Sequence, residues 1–130
     1  MKILIIDDEP LVRLSLKRVA ESKAYQVAEA EDGAVGLKVW KEFLPDLVFL
    51  DVLMPGLTGP QVLERIREWG QSDARVVLIS AYTGKYDFKK ARSLGADLFI
   101  PKPFDNIFQV MEEGVSLVQG GVGVSTKIDD

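Results

Sequence analysis

The chain alternates between short uninterrupted apolar runs and longer stretches in which apolar residues recur with helical spacing. Three runs, at 3–6, 47–50 and 76–79, are apolar at every position, which is typical of strands buried on both faces of a parallel sheet. Two further β-rich segments bring the predicted strands to five. The predicted strands span 2–6, 25–30, 46–50, 75–80 and 97–100.

The segments between and after these strands predict five amphipathic helices. Pro10 and Pro60 stand where the first and third helices should begin, at a position that tolerates a missing N–H. The fourth helix, within 85–94, has the weakest apolar pattern, and Gly95 is placed to end it. Strands and helices in alternation predict a doubly wound α/β domain with right-handed crossovers.

The length of 130 residues suits one domain. We expect a folded domain over 1–119 and a flexible tail or the start of a linker over 120–130, which lacks periodicity and carries three glycines. No apolar run approaches the length that crosses a bilayer, and the first residues do not have the pattern of a signal peptide. We therefore expect a cytoplasmic domain that does not enter a membrane.

The chain contains neither histidine nor cysteine. This composition excludes disulfides, a histidine general base, Ser–His and Cys–His nucleophile pairs, and zinc sites that need either residue. Chemistry must therefore use carboxylates, hydroxyls, lysines or a bound cation. The net charge of −4, with no run of lysine or arginine to offset it, argues against a nucleic-acid surface.

Charged and polar residues lie at the ends of several predicted strands. They are Asp7 and Asp8 after the first strand, Asp51 after the third, Ser80 at the end of the fourth and Lys102 after the fifth. The carboxyl ends of parallel strands meet at one edge of a sheet, and open α/β sheets bind their ligands there. We therefore expect these side chains to converge in one shallow crevice.

Each residue also has an ordinary structural interpretation. Asp8 can cap the first helix, and Asp51 can open a turn. Ser80 can satisfy a backbone group at the end of its strand, and Lys102 can be a solvated surface charge. Phe99, inside an apolar run, is expected in the core.

Those interpretations leave the joint placement of three carboxylates unexplained, because neighbouring carboxylates repel and one is driven toward protonation. A divalent cation removes the repulsion, and an oxygen-only site with few protein ligands suits Mg²⁺. A carboxylate beside Mg²⁺ and Lys102 can attack phosphorus and form an acyl phosphate. Ser80 could then donate a hydrogen bond to the phosphoryl group.

Four stretches, "ILIIDDEP", "PDLVFLDVLMPGLTG", "VVLISA" and "GADLFIPKPF", occur in this order along the chain. Together they resemble the response-regulator receiver domain of bacterial two-component signalling, of the chemotaxis-regulator type, over residues 2 to 118. The resemblance implies a flavodoxin-like fold in which five parallel strands, in the order 2-1-3-4-5, are covered by five helices.

The resemblance also implies roles for individual residues. Asp51 would accept the phosphoryl group, Lys102 would pair with that group, and the Lys102–Pro103 peptide bond would be cis. The implied magnesium ligands are Asp8, Asp51, the backbone carbonyl of Leu53, and Asp7 either directly or through water.

Ser80 and Phe99 match the switch pair of that family. On phosphorylation of Asp51, the Ser80 hydroxyl would move toward the phosphoryl group and Phe99 would turn inward, so that the face of the fourth helix, fifth strand and fifth helix repacks. Ser80, Phe99 and Pro101 depart from the commonest residues, which are threonine, tyrosine and threonine. None of the three departures removes a reacting group.

The implied function is that of a signalling switch and not of a metabolic enzyme, since the chain would catalyse only its own phosphorylation and slow dephosphorylation. The donor would be the phosphohistidine of a sensor histidine kinase or of a histidine phosphotransfer protein. The output would be a downstream protein effector or a fused output domain, without direct binding to nucleic acid or membrane. Phosphorylation-dependent dimerisation stays open.

Three alternatives compete with this interpretation. A phosphohydrolase of the haloacid dehalogenase type places a second aspartate two residues after its nucleophile, where this chain has Leu53, which cannot transfer a proton. A phosphorylation-independent interaction module with the same fold usually lacks an acidic residue, the acceptor or the lysine, and this chain retains all of them. The interpretation as a nucleotide-binding domain has the least support, because "TGKY" at 83–86 lacks the upstream glycine of a phosphate-cradling loop.

Overall fold

Five strands alternate with five helices in a computed structural model that describes residues 1–81 and 88–120. The strands are β1 (Lys2–Ile6), β2 (Gln26–Ala30), β3 (Leu47–Asp51), β4 (Arg75–Ser80) and β5 (Leu98–Pro101). The helices are α1 (Pro10–Ser22), α2 (Gly33–Phe43), α3 (Gly59–Trp69), α4 (Phe88–Ser93) and α5 (Ile107–Val118).

All strand pairs are parallel, and the sheet order is β2-β1-β3-β4-β5, which confirms the predicted fold class. The register pairs Ile6 with Leu50 and Asp51 with Ile79. The carboxyl ends of β1, β3 and β4 therefore reach the same edge of the sheet, within one residue of each other. This alignment brings the residues after β1 next to the end of β3.

The fully apolar runs are buried because both faces of the sheet are covered. Along β3, Leu47 and Phe49 pack with residues of α1 and α5, whereas Val48 and Leu50 pack with residues of α2 and α3. This alternation follows from the two-residue period of a strand. Trp40 is fully buried in the second of these layers, and its indole N–H donates to Ser72 Oγ at 2.9 Å.

The predicted boundaries agree with the structure to within one residue for every strand. Pro10 is the first residue of α1 and Pro60 the second of α3, so both stand in a first helical turn. Gly95 ends the fourth helix at φ +95°, and its N–H donates to the carbonyl of Arg92 at 2.9 Å. The predicted start of that helix, at 85–87, and nearly all of the predicted tail lie outside the described residues.

The suggested capping role of Asp8 is wrong. The N-cap of α1 is Glu9, and its side chain makes no capping hydrogen bond. By contrast, α3 begins with a complete capping box, in which Thr58 and Gln61 bond to each other's backbone N–H.

Within the described ranges, no helix is both long and apolar enough to cross a membrane.

Gly59 lets α3 begin directly against the end of β3. Its N–H donates to the carbonyl of Val52 at 2.9 Å, and a Cβ here would press on the carbonyl oxygen of Asp51 and lie 3.1 Å from the Cα of Val52. We expect Gly59→Ala to lower the free energy of unfolding by about 3 kcal/mol, because backbone atoms cannot move aside as a side chain can. Urea denaturation measures this loss.

Gly56→Ala is the matched control for that substitution. Gly56 has a φ of +78° and open space where a Cβ would lie, so alanine there introduces backbone strain without a clash. Its expected cost is about 1 kcal/mol. If both variants lose the same free energy of unfolding, the close approach of Gly59 to the Asp51 backbone is not the reason for glycine at position 59.

Candidate functional site

Four carboxylates meet at the carboxyl edge of the sheet. Asp7, Asp8 and Glu9 follow β1, and Asp51 is the last residue of β3. One carboxylate oxygen from each residue lies within 4.8 Å of the others. Asp7 and Asp51 are buried, whereas Asp8 and Glu9 are exposed, so the cluster opens to solvent on one side.

The ammonium of Lys102 lies against this cluster. Its Nζ is 3.0 Å from Asp7 Oδ2 and 3.6 Å from Asp51 Oδ2, and it also contacts Glu9 Oε1. The Lys102 side chain is only 7% exposed. It is therefore an enclosed cation shared by three carboxylates, and not a solvated surface charge.

A backbone hydrogen bond to β4 positions Lys102. Its N–H donates to the carbonyl of Ser80 at 2.8 Å, which extends the pairing of β4 and β5 by one residue. The peptide bond between Lys102 and Pro103 is cis, as the family resemblance implies. The sheet thus carries the lysine to the same edge as the aspartates.

The loop between β1 and α1 is held by hydrogen bonds around Asp7. Its N–H donates to the carbonyl of Ala30 at 3.1 Å, and its Oδ1 accepts from the Glu9 N–H at 2.8 Å. Arg13 Nη1 donates to the Asp7 carbonyl at 2.6 Å, while Arg13 Nε is 3.4 Å from Glu29 Oε1. The guanidinium of Arg13, a residue of α1, therefore links the loop to Glu29 of β2.

Burial and mutual contacts shift the pKa values of Asp7, Asp51 and Lys102. Burial raises the pKa of Asp51 to about 7, and the charge of Asp7 adds to the rise while Lys102 opposes it. Burial also raises the pKa of Asp7, against hydrogen bonds from the Glu9 N–H and Lys102 that lower it. Burial alone would lower the pKa of Lys102, but its contacts with Glu9 and Asp7 outweigh that effect and raise it.

This arrangement fits a hard divalent cation. The donor set consists only of carboxylate oxygens, and burial together with the charge of Asp7 disfavours the ionised form of Asp51, which a bound cation would neutralise. Mg²⁺ prefers such oxygens and keeps part of its water shell, which the exposed side of the cluster can accommodate. Asp7, Asp8 and Asp51 are therefore suitable ligands.

The remaining predicted residues are Ser80, Phe99 and Leu53. Ser80 ends β4 and is buried. Phe99 lies on β5, is partly buried and packs against the core cluster that includes residues of α2 and α3, in agreement with its apolar run. Leu53 lies two residues after Asp51 with an exposed side chain. The roles assigned to these three residues stay predictions.

Two contributors to the site were not anticipated from the sequence. Glu9 supplies a fourth carboxylate and contacts Lys102, and Arg13 braces the loop. The glutamate directly after the aspartate pair was the available signal for the first. Nothing in the helical pattern of α1 distinguishes Arg13 from an exposed basic residue.

Residues 3–111 match the response regulator receiver domain family, and the chain belongs to that family. It is therefore a receiver domain of the two-component response regulators, a class of signalling switches that bind Mg²⁺ in an acidic pocket.

Among its relatives, the chain is 38% identical to chemotaxis protein CheY of Treponema pallidum over 107 residues, which cover 80% of this chain and 74% of that protein. It is 36% identical to sporulation initiation phosphotransferase F of Bacillus subtilis over 105 residues, covering 80% and 83%. Transcriptional regulatory protein KdpE of Mycobacterium tuberculosis is 38% identical over 102 residues, covering 78% of this chain but 44% of that protein. The chain spans less than half the length of the transcriptional regulators that it matches.

Solved structures agree with this assignment. The signal receiver domain of the response regulator NarL from Mycobacterium tuberculosis superposes with a TM-score of 0.80 at 31% identity, covering 92% of this chain and 96% of that domain. A receiver domain protein from Methanospirillum hungatei gives a TM-score of 0.84 at 23% identity, covering 92% and 94%. The second likeness shows the fold alone.

Proposed function

We propose that this receiver accepts a phosphoryl group on Asp51 in a Mg²⁺-dependent reaction. The observation that carries the proposal is the position of Asp51. It is buried and belongs to a cluster of four carboxylates, and the ammonium of Lys102 lies 3.6 Å from its Oδ2. A carboxylate with this combination of neighbours has an oxygen for attack and a cation to neutralise charge on the incoming group.

Asp8 and Asp51 would hold Mg²⁺ together with the backbone carbonyl of Leu53, and Asp7 would bind it directly or through water. The bound cation supplies charge neutralisation for the oxygens of the transferring group. Asp7 is already oriented for this role, because the Glu9 N–H holds one of its carboxylate oxygens.

The donor is the phosphohistidine of a sensor histidine kinase or of a histidine phosphotransfer protein. An oxygen of Asp51 forms a bond to phosphorus, the phosphorus–nitrogen bond breaks, and the electron pair and a proton remain on the donor's imidazole. Lys102 stabilises the phosphoryl oxygens, and the Ser80 hydroxyl donates to the product. The later hydrolysis is slow, since Leu53 stands where a general acid or base would be needed and cannot move a proton.

Phosphorylation then changes the surface formed by α4, β5 and α5. Ser80 lies at the end of β4, and Phe99 lies on β5 opposite Leu78, so the two switch residues belong to adjacent strands. Movement of Ser80 toward the phosphoryl group lets Phe99 turn inward from its half-buried position. A cytoplasmic protein effector or a fused output domain reads the altered face.

Acetyl phosphate tests the proposal without the unknown kinase. With Mg²⁺, wild-type protein should gain one phosphate by intact-mass spectrometry, and Asp51→Asn should gain none, since an amide cannot form the acyl phosphate. Asp73→Asn, an exposed aspartate before β4, is the control and should be modified like wild type. Chelation of Mg²⁺ should prevent modification of every protein. Equal labelling of wild type and Asp51→Asn would disprove the assignment.

A further inference from the structure

Glu9 occupies an unusual position for an N-cap residue. Such residues ordinarily turn their side chain back onto the first N–H groups of the helix, and Thr58, Asp32 and Asn106 do so in α3, α2 and α5. The Glu9 side chain makes no such bond. It extends instead across the cluster to contact the ammonium of Lys102, 93 residues away in the chain.

We propose that Glu9 is a detachable latch on Lys102, which holds the lysine in a resting position and slows phosphorylation of Asp51. The inference rests on the proposed function of that aspartate. Glu9 would act only through Lys102, so it is a positioning residue and not a catalytic one.

The distances support a resting position. Lys102 Nζ is within hydrogen-bond range of Asp7 and Glu9, whereas Asp51 Oδ2, at 3.6 Å, is beyond it. The ammonium is thus committed to the two residues of the β1–α1 loop. Its third N–H can bond one oxygen of a phosphoryl group on Asp51, but a second bond to that group requires the loss of one of these contacts.

Exposure decides which contact is exchanged. Lys102 is 7% exposed and Asp7 is fully buried, but the Glu9 side chain is 57% exposed. Glu9 can therefore swing into water and keep its charge solvated, while Asp7 cannot. In the phosphorylated protein Glu9 also carries the same sign of charge as the new group, which favours its release.

Two substitutions separate a direct contact from a simple charge effect. Glu9→Gln keeps the length and removes the charge, whereas Glu9→Asp keeps the charge and shortens the reach by one methylene. If Glu9 acts by holding Lys102, both variants weaken the hold. If it acts only by repelling the phosphodonor, Glu9→Asp behaves as wild type. Glu21→Gln, an exposed glutamate near the other end of α1, is the control.

The first measurement uses metal-free protein and no phosphodonor. Nuclear magnetic resonance of ¹⁵N-lysine-labelled protein reports how fast the Lys102 ammonium protons exchange with water, and the signal is assigned by its loss in Lys102→Met. We expect exchange at least about threefold faster in both Glu9 variants, because a charge-assisted hydrogen bond is lost. If the ammonium protons of Lys102 exchange at the wild-type rate in both Glu9 variants, the proposal is overturned.

The second measurement is the rate of phosphorylation by acetyl phosphate, at Mg²⁺ concentrations where the rate of each protein has reached its plateau. We expect rates about three to ten times that of wild type in both Glu9 variants, and an unchanged rate in Glu21→Gln. If only Glu9→Gln is phosphorylated faster than wild type, Glu9 acts by repelling the phosphodonor and the proposal is overturned. Slower phosphorylation of both Glu9 variants would overturn it as well. Wild-type protein that takes no phosphate at all would instead overturn the proposed function, and the exchange rates would still show whether Glu9 restrains Lys102.

Discussion

Asp51→Asn should raise the free energy of unfolding of the metal-free protein by about 2 kcal/mol at about pH 8. The carboxylate is buried beside Asp7, and burial together with that charge raises its pKa to about 7. At alkaline pH the folded protein must therefore keep an unfavourable negative charge that the unfolded chain exposes to water. Asparagine removes the charge in nearly the same volume. It also leaves Lys102 with one carboxylate fewer, so the gain stays below the full value of the pKa shift.

The pH dependence of this gain has a definite sign. Because the folded pKa of Asp51 lies above the ordinary value of 3.8, folded wild-type protein binds more protons than the unfolded chain between that value and about 7. The contribution of Asp51 to stability therefore becomes less favourable as the pH rises through this window, and its full cost is present above it. Asp51→Asn should show its largest advantage at about pH 8 and almost none at about pH 4.

Urea denaturation with and without Mg²⁺ checks both points. Mg²⁺ binds the folded wild type and should stabilise it, but it should stabilise Asp51→Asn much less, so the difference between them shrinks or reverses. Asp73→Asn, on the exposed loop before β4, should stay within about 0.5 kcal/mol of wild type throughout. An Asp51→Asn variant that is less stable than wild type without metal would contradict the inference that burial and the charge of Asp7 make the Asp51 carboxylate unfavourable in the folded protein.

The fold could be predicted because its signals are local. Uninterrupted apolar runs identify strands covered on both faces, and the prolines and glycines between them mark the starts and ends of helices. The strand order is not local, since apolar runs show that strands are buried but not which of them are neighbours. That order came from the family resemblance, and the structure confirms it.

The site was predictable as far as the backbone positions it. Asp7, Asp51 and Lys102 follow strands, so parallel pairing alone brings them to one edge, where the structure places them together. The side chain of Glu9 could not be located in this way. The direction of this side chain depends on Lys102, which lies 93 residues further along the chain.

Lys102→Met should slow phosphorylation by acetyl phosphate about a hundredfold at saturating Mg²⁺, since it removes a pre-positioned cation from the place where charge develops. Methionine is apolar and of similar size, so it can occupy the enclosed position that is 7% exposed in the wild type. Lys102→Arg keeps the charge but brings a wider, planar group, and we expect an intermediate rate. Lys38→Met, on the exposed surface of α2, is the control and should be neutral.

Measurement of Mg²⁺ affinity by calorimetry shows whether Lys102 acts on the metal or on the phosphoryl group. Lys102 competes with any cation for Asp7 and Asp51, so its loss should leave Mg²⁺ binding unchanged or make it tighter. A slower reaction combined with undiminished metal binding places the role of Lys102 in the transfer step itself. If instead the affinity and the rate fell together, the lysine would matter only because it keeps the carboxylates in position, and the transfer would depend on Asp51 and the metal alone.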